Sequence, residues 1–313
     1  MVAGADSPSP DPPGPSGLLQ AFVKFTRPHT IRGTILGSFA GCARALLDST
    51  KLINWALLPT AVLGMLALLL GNAFIVGINQ IYDVRVDKIN KPFLPLAAGE
   101  MSIRLAWAIV LSSAFTGLAI VRLCFSRLIF GLYAFGMSFG ALYSVPPFRF
   151  KRYPALAAIT ISCVRGFLMN FGVYHATKSA LGIPFTWSPP ITFLAVFMTI
   201  FACVIALSKD LPDMKGDLAE GVPTFATRVG PRKIVNIVVA LLGINYLGAI
   251  ATAVFSPAGA FRRVVMGLGH LVLGGRLFLY QRNIDPNSQT SIKDFYRFIW
   301  QLFYSEYLLF PFI

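Results

Sequence analysis

The chain has 313 residues, of which 56% are hydrophobic and only 13% charged, and its mean hydropathy is +0.68. Soluble domains carry charge on about a quarter of their residues, so an ordinary soluble fold is excluded and an all-α polytopic membrane protein is expected. The net charge of +14 does not make nucleic acid an expected partner, because Lys and Arg gather on one face of membrane proteins.

Residues 1–19 are rich in Pro, Gly and Ser and read as a disordered segment. They hold neither a secretory signal nor an Arg/Ser-rich amphipathic leader, so any organellar address is expected to lie outside them. Residues 20–313 read as one transmembrane domain. Its apolar runs fall at roughly 29–47, 54–79, 102–122, 127–144, 156–177, 190–208, 232–254, 258–280 and 294–312, which predicts nine spanning helices. The runs are too long and too apolar for a membrane β-barrel. Cys42, Cys124, Cys163 and Cys203 lie in or beside these runs with no CxxC or His cluster, which argues against a disulfide or zinc site.

Two windows depart from this apolar background. The second run ends in NQIYDVRVDKINKPFLPLAAGE (79–100), and the sixth ends in KDLPDMKGDLAE (209–220). Seven of the 13 acidic residues of the chain lie in these two windows. On nine spans, four crossings separate the windows, so both emerge on the same side. The loop SVPPFRFKRYP (144–154) lands there too, together with most of the Lys and Arg residues, as the positive-inside bias requires. The halves of the chain form a faint pseudo-repeat: apolar helix, polar residues at four-residue spacing, basic loop, apolar helix.

Asn79, Asp83 and Asp87 are four residues apart and share one helix face, and so do Asp213 and Asp217 with Asp210 one turn earlier. Carboxylates stacked in this way repel and call for a cation. With no His or Cys nearby, the donors are oxygen only, which suits Mg²⁺ better than zinc. Mg²⁺ bound by one or two carboxylates completes its shell with phosphate and water. Two such motifs facing one another therefore read as a Mg²⁺–diphosphate clamp, with Asp83, Asp87, Asp213 and Asp217 as catalytic acids and Asn79 as a further ligand.

Arg149 and Lys151, with Arg152, are placed to neutralise diphosphate oxygens, or else to anchor the chain at the membrane face. Lys88, Lys91 and Lys209 either pair with the acids or reach the diphosphate. Arg165 lies inside an apolar run, where a charge is costly and marks function; Arg32 and Asn72 are weaker cases. An ion-coupled transporter, which also sets polar residues at helix breaks, is the competing reading of these residues.

The motifs NQIYDVRVD (79–87), YSVPPFRFKR (143–152) and KDLPDMKGD (209–217) resemble those of the UbiA superfamily of intramembrane prenyltransferases. KFTRPHTIRGT (24–34), RGFLMNFGVYHAT (165–177) and GVPTFATRVG (221–230) are similar to the plastid and cyanobacterial homogentisate prenyltransferases, most of all the solanesyl-transferring branch. The resemblance covers nearly the whole chain after residue 20. It implies nine helices around a central cavity, with residues 88–100 helping to cap it. It implies Mg²⁺ held by Asn79, Asp83, Asp87, Asp213 and Asp217, with Asp210 as the extra, substrate-binding acid of the second motif, and diphosphate contacts from Arg149 and Lys151. It also implies a polyprenyl diphosphate donor, homogentisate as acceptor, a plastid membrane with the motif side toward the stroma, and a product on the way to plastoquinone. Phytyl or geranylgeranyl transfer is the alternative. Oligomeric state is not legible.

Overall fold

The computed structural model describes residues 15–219 and 221–313. Residues 1–14 of the segment expected to be disordered, and Glu220 of the second acidic window, lie outside the described residues. Residues 15–19, expected to belong to that segment, instead open helix α1 (Pro15–Phe25). Its inner face buries Ala21 and Phe25 against Ile78, Leu96 and Val110.

Helix α2 (Pro28–Leu47) starts at a proline in its first turn, where the missing N–H costs nothing. Helix α3 (Leu58–Asn90) runs 33 residues, about 50 Å at 1.5 Å per residue. The hydrocarbon core of a bilayer is only about 30 Å thick, so the last turns of α3, which carry Asn79 to Asn90, stand clear of it.

The chain then makes a single turn, α4 (Pro95–Ala98), and the hairpin α5 (Ile103–Cys124) and α6 (Arg127–Ser144). Ser102 and Ser126 cap the two hairpin helices by accepting the N–H of Leu105 and Ile129. The next helix is continuous from Pro154 to Ala180 but changes winding midway: α7 (Pro154–Ile161) leads into a π-helical segment, Ser162–Leu168, and then α8 (Met169–Ala180). Helix α9 (Pro189–Ser208) is the most enclosed. A Cβ on Gly166 would stand 2.4 Å from the Cα of Thr199, so the π segment packs backbone to backbone on α9 only because that residue is glycine.

The second motif forms α10 (Asp210–Ala219), followed by α11 (Phe225–Val229), α12 (Pro231–Phe255), α13 (Arg263–Gln281) and α14 (Gln289–Leu309). Leu194, Phe201, Leu242, Phe295, Ile299 and Phe303 form the main core between α9, α12 and α14. Outward-facing Phe115, Leu123, Ile244 and Phe255 are exposed, as lipid-facing side chains are.

The expectation of nine spanning helices is corrected. Among the described residues, six helices are long and apolar enough to cross a membrane: Trp55–Asn90, Ile103–Cys124, Pro154–Ala180, Pro189–Ser208, Pro231–Phe255 and Arg263–Gln281. Three expected spans form α2, α6 and α14 but are diluted below that threshold. α2 carries Arg32 and Arg44, α6 opens on Arg127, and α14 carries Lys293, Asp294, Arg297 and Glu306. The expected central cavity is corrected as well. The helices leave a cleft of about 1420 Å³ that opens outward, lined mainly by α2, α3, α6 and α8. Residues 92–102 do not line it; they pack on α1, where Lys24 pairs with Glu100 at 2.7 Å. The α10–α11 link, Gly221 to Thr224, borders the cleft instead.

Candidate active site

The first motif occupies the overhanging end of α3. The Asn79 amide donates to Asp83 Oδ2 at 2.8 Å and to Ser144 Oγ at 3.3 Å, and its oxygen accepts from Arg27 Nη2 at 3.0 Å. Asp83 is paired with Lys151, and Arg149 Nη2 lies 3.6 Å away. Asp87 is buried, with Lys91 at 3.9 Å from one oxygen, while its Oδ2 has no hydrogen-bond partner.

The second motif faces it on α10. Asp213 accepts from Lys91 at 2.5 Å, and Asp210 is paired with its neighbour Lys209. Asn90 holds the two motifs together: its oxygen accepts the Gly216 N–H at 2.8 Å, and its amide lies 3.4 Å from Asp217. A Cβ on Gly216 would fall 2.4 Å from Asn90 Oδ1, so the glycine permits the approach.

Arg27 and Arg149 are the two non-glycine residues at positive φ among the described residues, at 53° and 37°. Such conformations cost of order 1–3 kcal/mol and persist where surrounding structure enforces them, commonly at functional sites. Both place a guanidinium on the first motif.

Electrostatics at the site follow from burial. The carboxyl of Asp217 is pushed up to about 7 by burial and by the neighbouring charges of Asp213 and Asp210. Burial also pulls the Lys151 ammonium down, against the attraction of Asp83. Lys209 is held well above its ordinary range despite burial, because Asp210 stabilises its charge.

Of the residues singled out from sequence, Asn79, Asp83, Asp87, Lys91, Arg149, Lys151, Lys209, Asp210, Asp213 and Asp217 all border the cleft at this end, and Arg165 borders it deeper in. Lys88 and Arg32 do not; both are exposed. Asn72 borders the cleft while donating to the Thr26 carbonyl at 3.2 Å. Sequence reasoning missed Arg27, Asn90, Ser144 and Gly216. Asn90 alone carried a usable signal, since it continues the polar stripe of 79, 83 and 87 by one more turn.

Among the described residues, no three acidic, His or Cys side chains converge to hold an ion by themselves. The five-residue ligand set expected for Mg²⁺ is therefore not a preformed cage: Lys151, Arg149 and Lys91 engage Asp83, Asp87 and Asp213, and Asn90 lies against Asp217. The donors nonetheless suit the ion, being all oxygen, with the buried Asp87 Oδ2 lacking a partner. Magnesium takes one or two protein carboxylates and fills its shell from phosphate.

The family model of the UbiA prenyltransferase family matches residues 34–302. The chain is 49% identical to the probable homogentisate phytyltransferase 2, chloroplastic, of Oryza sativa subsp. japonica, over 99% of this chain and 82% of that protein. It is 48% identical to the homogentisate solanesyltransferase, chloroplastic, of Arabidopsis thaliana, over 100% of this chain and 81% of that protein. Its fold is similar to that of a UbiA homolog from Archaeoglobus fulgidus bound to DMAPP and Mg²⁺. That match has a TM-score of 0.66 and 18% identity, and covers 93% of this chain and 98% of the other. Two aspartate motifs closing on one polar end of an intramembrane cleft thus belong to a recognised class of membrane-embedded transferase. The chain belongs to the UbiA prenyltransferase family and is homologous to the plastid-type homogentisate phytyl- and solanesyltransferases.

Proposed function

We propose that this chain is a Mg²⁺-dependent aromatic prenyltransferase that moves a prenyl group from its diphosphate to homogentisate. The observation that carries this reading is the continuity of the cleft. Its polar end holds the acidic motifs with Arg27, Lys91, Arg149, Lys151 and Lys209, and the same space runs between apolar walls along α3 as far as Leu58. A molecule with a polyanionic head and a long apolar tail matches both halves.

In this mechanism the cations now paired with aspartates turn to the diphosphate oxygens, with Arg149 suited to a two-point contact. Asp83 and Asp87 on one side, and Asp213 and Asp217 on the other, would hold Mg²⁺. When bound, the ion supplies Lewis-acid stabilisation of the negative charge on the departing diphosphate. The allylic C–O bond breaks with its electron pair leaving on diphosphate, and the electron-rich ring forms the new C–C bond. The ring then loses its proton at the new bond. The acetate carboxyl departs as CO₂, and a proton fills the methyl it leaves, giving a 2-methyl-6-prenyl-1,4-benzoquinol. Ile75, Met137 and Val164 wall the cleft below the motifs and keep out water that would quench an allylic cation.

A twenty-carbon phytyl or geranylgeranyl donor is the reading that the similarities favour over solanesyl. A solanesyl donor is kept as a second reading on one observation: from Asp83 to Leu58 the cleft wall on α3 spans about 37 Å at 1.5 Å per residue. The chloroplastic relatives support a plastid membrane as the location, with the basic motif end toward the stroma and a product feeding tocopherol or plastoquinone.

Purified protein in lipid discs, given homogentisate and phytyl, geranylgeranyl or solanesyl diphosphate, is expected to release diphosphate and prenylated quinol with Mg²⁺ and not with EDTA. Turnover that persists without divalent metal overturns the reading. Ion flux through sealed vesicles with no diphosphate turnover would instead mark a transporter.

A further inference from the structure

Arg165 lines the cleft away from its acidic end, so contact with the diphosphate does not explain its charge. It sits in the π-helical segment, whose wider winding is held by Asn170, donating to the carbonyls of Arg165 at 3.3 Å and Gly166 at 2.7 Å. The guanidinium stacks over Trp300 at 5.6 Å. Its Nη1 is buried with no hydrogen-bond partner, and among the described residues no carboxylate pairs with it, whereas Lys91, Arg149, Lys151 and Lys209 each pair with an aspartate. A buried, unpaired guanidinium inside a membrane is costly, and its planar fork matches a carboxylate.

The surroundings state which carboxylate. Gly33 on α2 leaves room for this group, since a Cβ there would lie 3.3 Å from Nη1. Arg27, which holds Asn79, is six residues earlier, so the guanidinium sits about 9 Å deeper than the first motif at 1.5 Å per residue. Between the two levels His29 meets Trp300 edge to face at 5.2 Å, and both line the cleft. A phenylacetate spans roughly 6 Å with bonds of about 1.5 Å, enough to set its ring beside His29 and Trp300 with its carboxylate on Arg165.

We infer that Arg165 is the carboxylate-binding residue for the aromatic acceptor, and that it selects acceptors carrying an acid on the side facing away from the diphosphate. This rests on the proposed prenyl transfer. It adds a consequence: loss of CO₂ removes the group that Arg165 holds, so the neutral quinol leaves a site that no longer grips it.

The test compares wild type, Arg165→Met and Arg165→Lys in lipid discs. Homogentisate KM is expected to rise about 30-fold or more in Arg165→Met, with prenyl diphosphate KM unchanged and part of the loss recovered in Arg165→Lys. Homogentisate methyl ester should serve wild type as poorly as the acid serves Arg165→Met. An equal rise in donor KM, an unmoved acceptor KM, or an ester as good as the acid each overturns the inference. Unchanged donor KM also certifies that the variant is folded. If wild type transfers nothing to homogentisate, the proposed function fails, and calorimetry with homogentisate and 4-hydroxybenzoate decides Arg165 by itself. Binding lost in Arg165→Met sustains the carboxylate role, and binding that is absent or insensitive to the substitution ends it.

Discussion

Lys91 Nζ stands 2.5 Å from Asp213 Oδ2 on α10 and 3.9 Å from Asp87 Oδ1 on α3, so a single ammonium bridges the two acidic motifs. It occupies the place between carboxylates where a divalent ion and diphosphate would bring positive and negative charge. Replacing it by Met removes a bridge and a diphosphate contact together. Lys91→Met is expected to raise the prenyl diphosphate KM about tenfold, since a charge-assisted bond is roughly twice as strong as a neutral one. Steady-state kinetics at saturating acceptor measure this.

Asp83 and Asp213 lie on opposite motifs and each is engaged by a lysine. Asp83→Ala and Asp213→Ala should each lower kcat by about 10²–10³-fold, the usual scale for removing a preorganised electrostatic contributor. The proteins should still elute as folded species from size exclusion. Turnover retained in both variants would falsify the clamp.

The Asn90–Gly216 contact is a close approach with no slack. Gly216→Ala forces a Cβ to 2.4 Å from the amide oxygen of Asn90, and overpacking of this kind costs about 1–3 kcal/mol. Thermal unfolding should shift downward and activity should fall, because α10 can no longer seat against α3. Asn90→Gly in the same background is expected to recover part of both.

The pH dependence of the ligand-free protein follows from Asp217. Its carboxyl titrates near 7 in the folded state, against an ordinary value of 3.8. Between these values the folded state holds a proton that the unfolded chain has lost, so stability falls as pH rises. In EDTA, wild type is expected to lose thermal stability from about pH 4 toward pH 7, and Asp217→Asn should flatten that slope. A melting series across this range checks the sign.

Gly172 on α8 borders the cleft and has nothing within 4 Å of an added Cβ, which makes it a place to test donor length. A large side chain there projects into open space partway down the cleft. Gly172→Phe should spare transfer from the shorter donor while abolishing it from solanesyl diphosphate. Equal loss for both donors places the tail elsewhere.

Composition and periodicity by themselves determined the all-α membrane class, the two carboxylate stripes and the basic loop between them. These are local properties: hydropathy is a sum over neighbours, and a four-residue spacing sets one helix face. Arg149 and Lys151 were legible for the same reason, lying in a short basic loop between apolar runs. The count of spanning helices was not legible. Apolar runs mark helices, but α2 turns Thr30, Thr34 and Ser38 toward the cleft, and α14 buries Glu306 in the bundle while leaving Lys293 and Arg297 exposed, so neither reads as a plain lipid-facing span.

Tertiary structure alone decided that Lys88 points away while Lys91, three residues on, bridges the motifs. It also decided that Arg27, at the far end of a helix pair in sequence, holds Asn79, and that Asn90 meets Gly216 across 126 positions. Long-range pairings of this kind depend on how helices cross, and no window of sequence records a crossing. Arg165 belongs to both accounts. Its presence in an apolar run was visible as a charge that needs a reason, but only the packed π segment, with Gly33 and Trp300 against it, decides where in the cleft that charge stands.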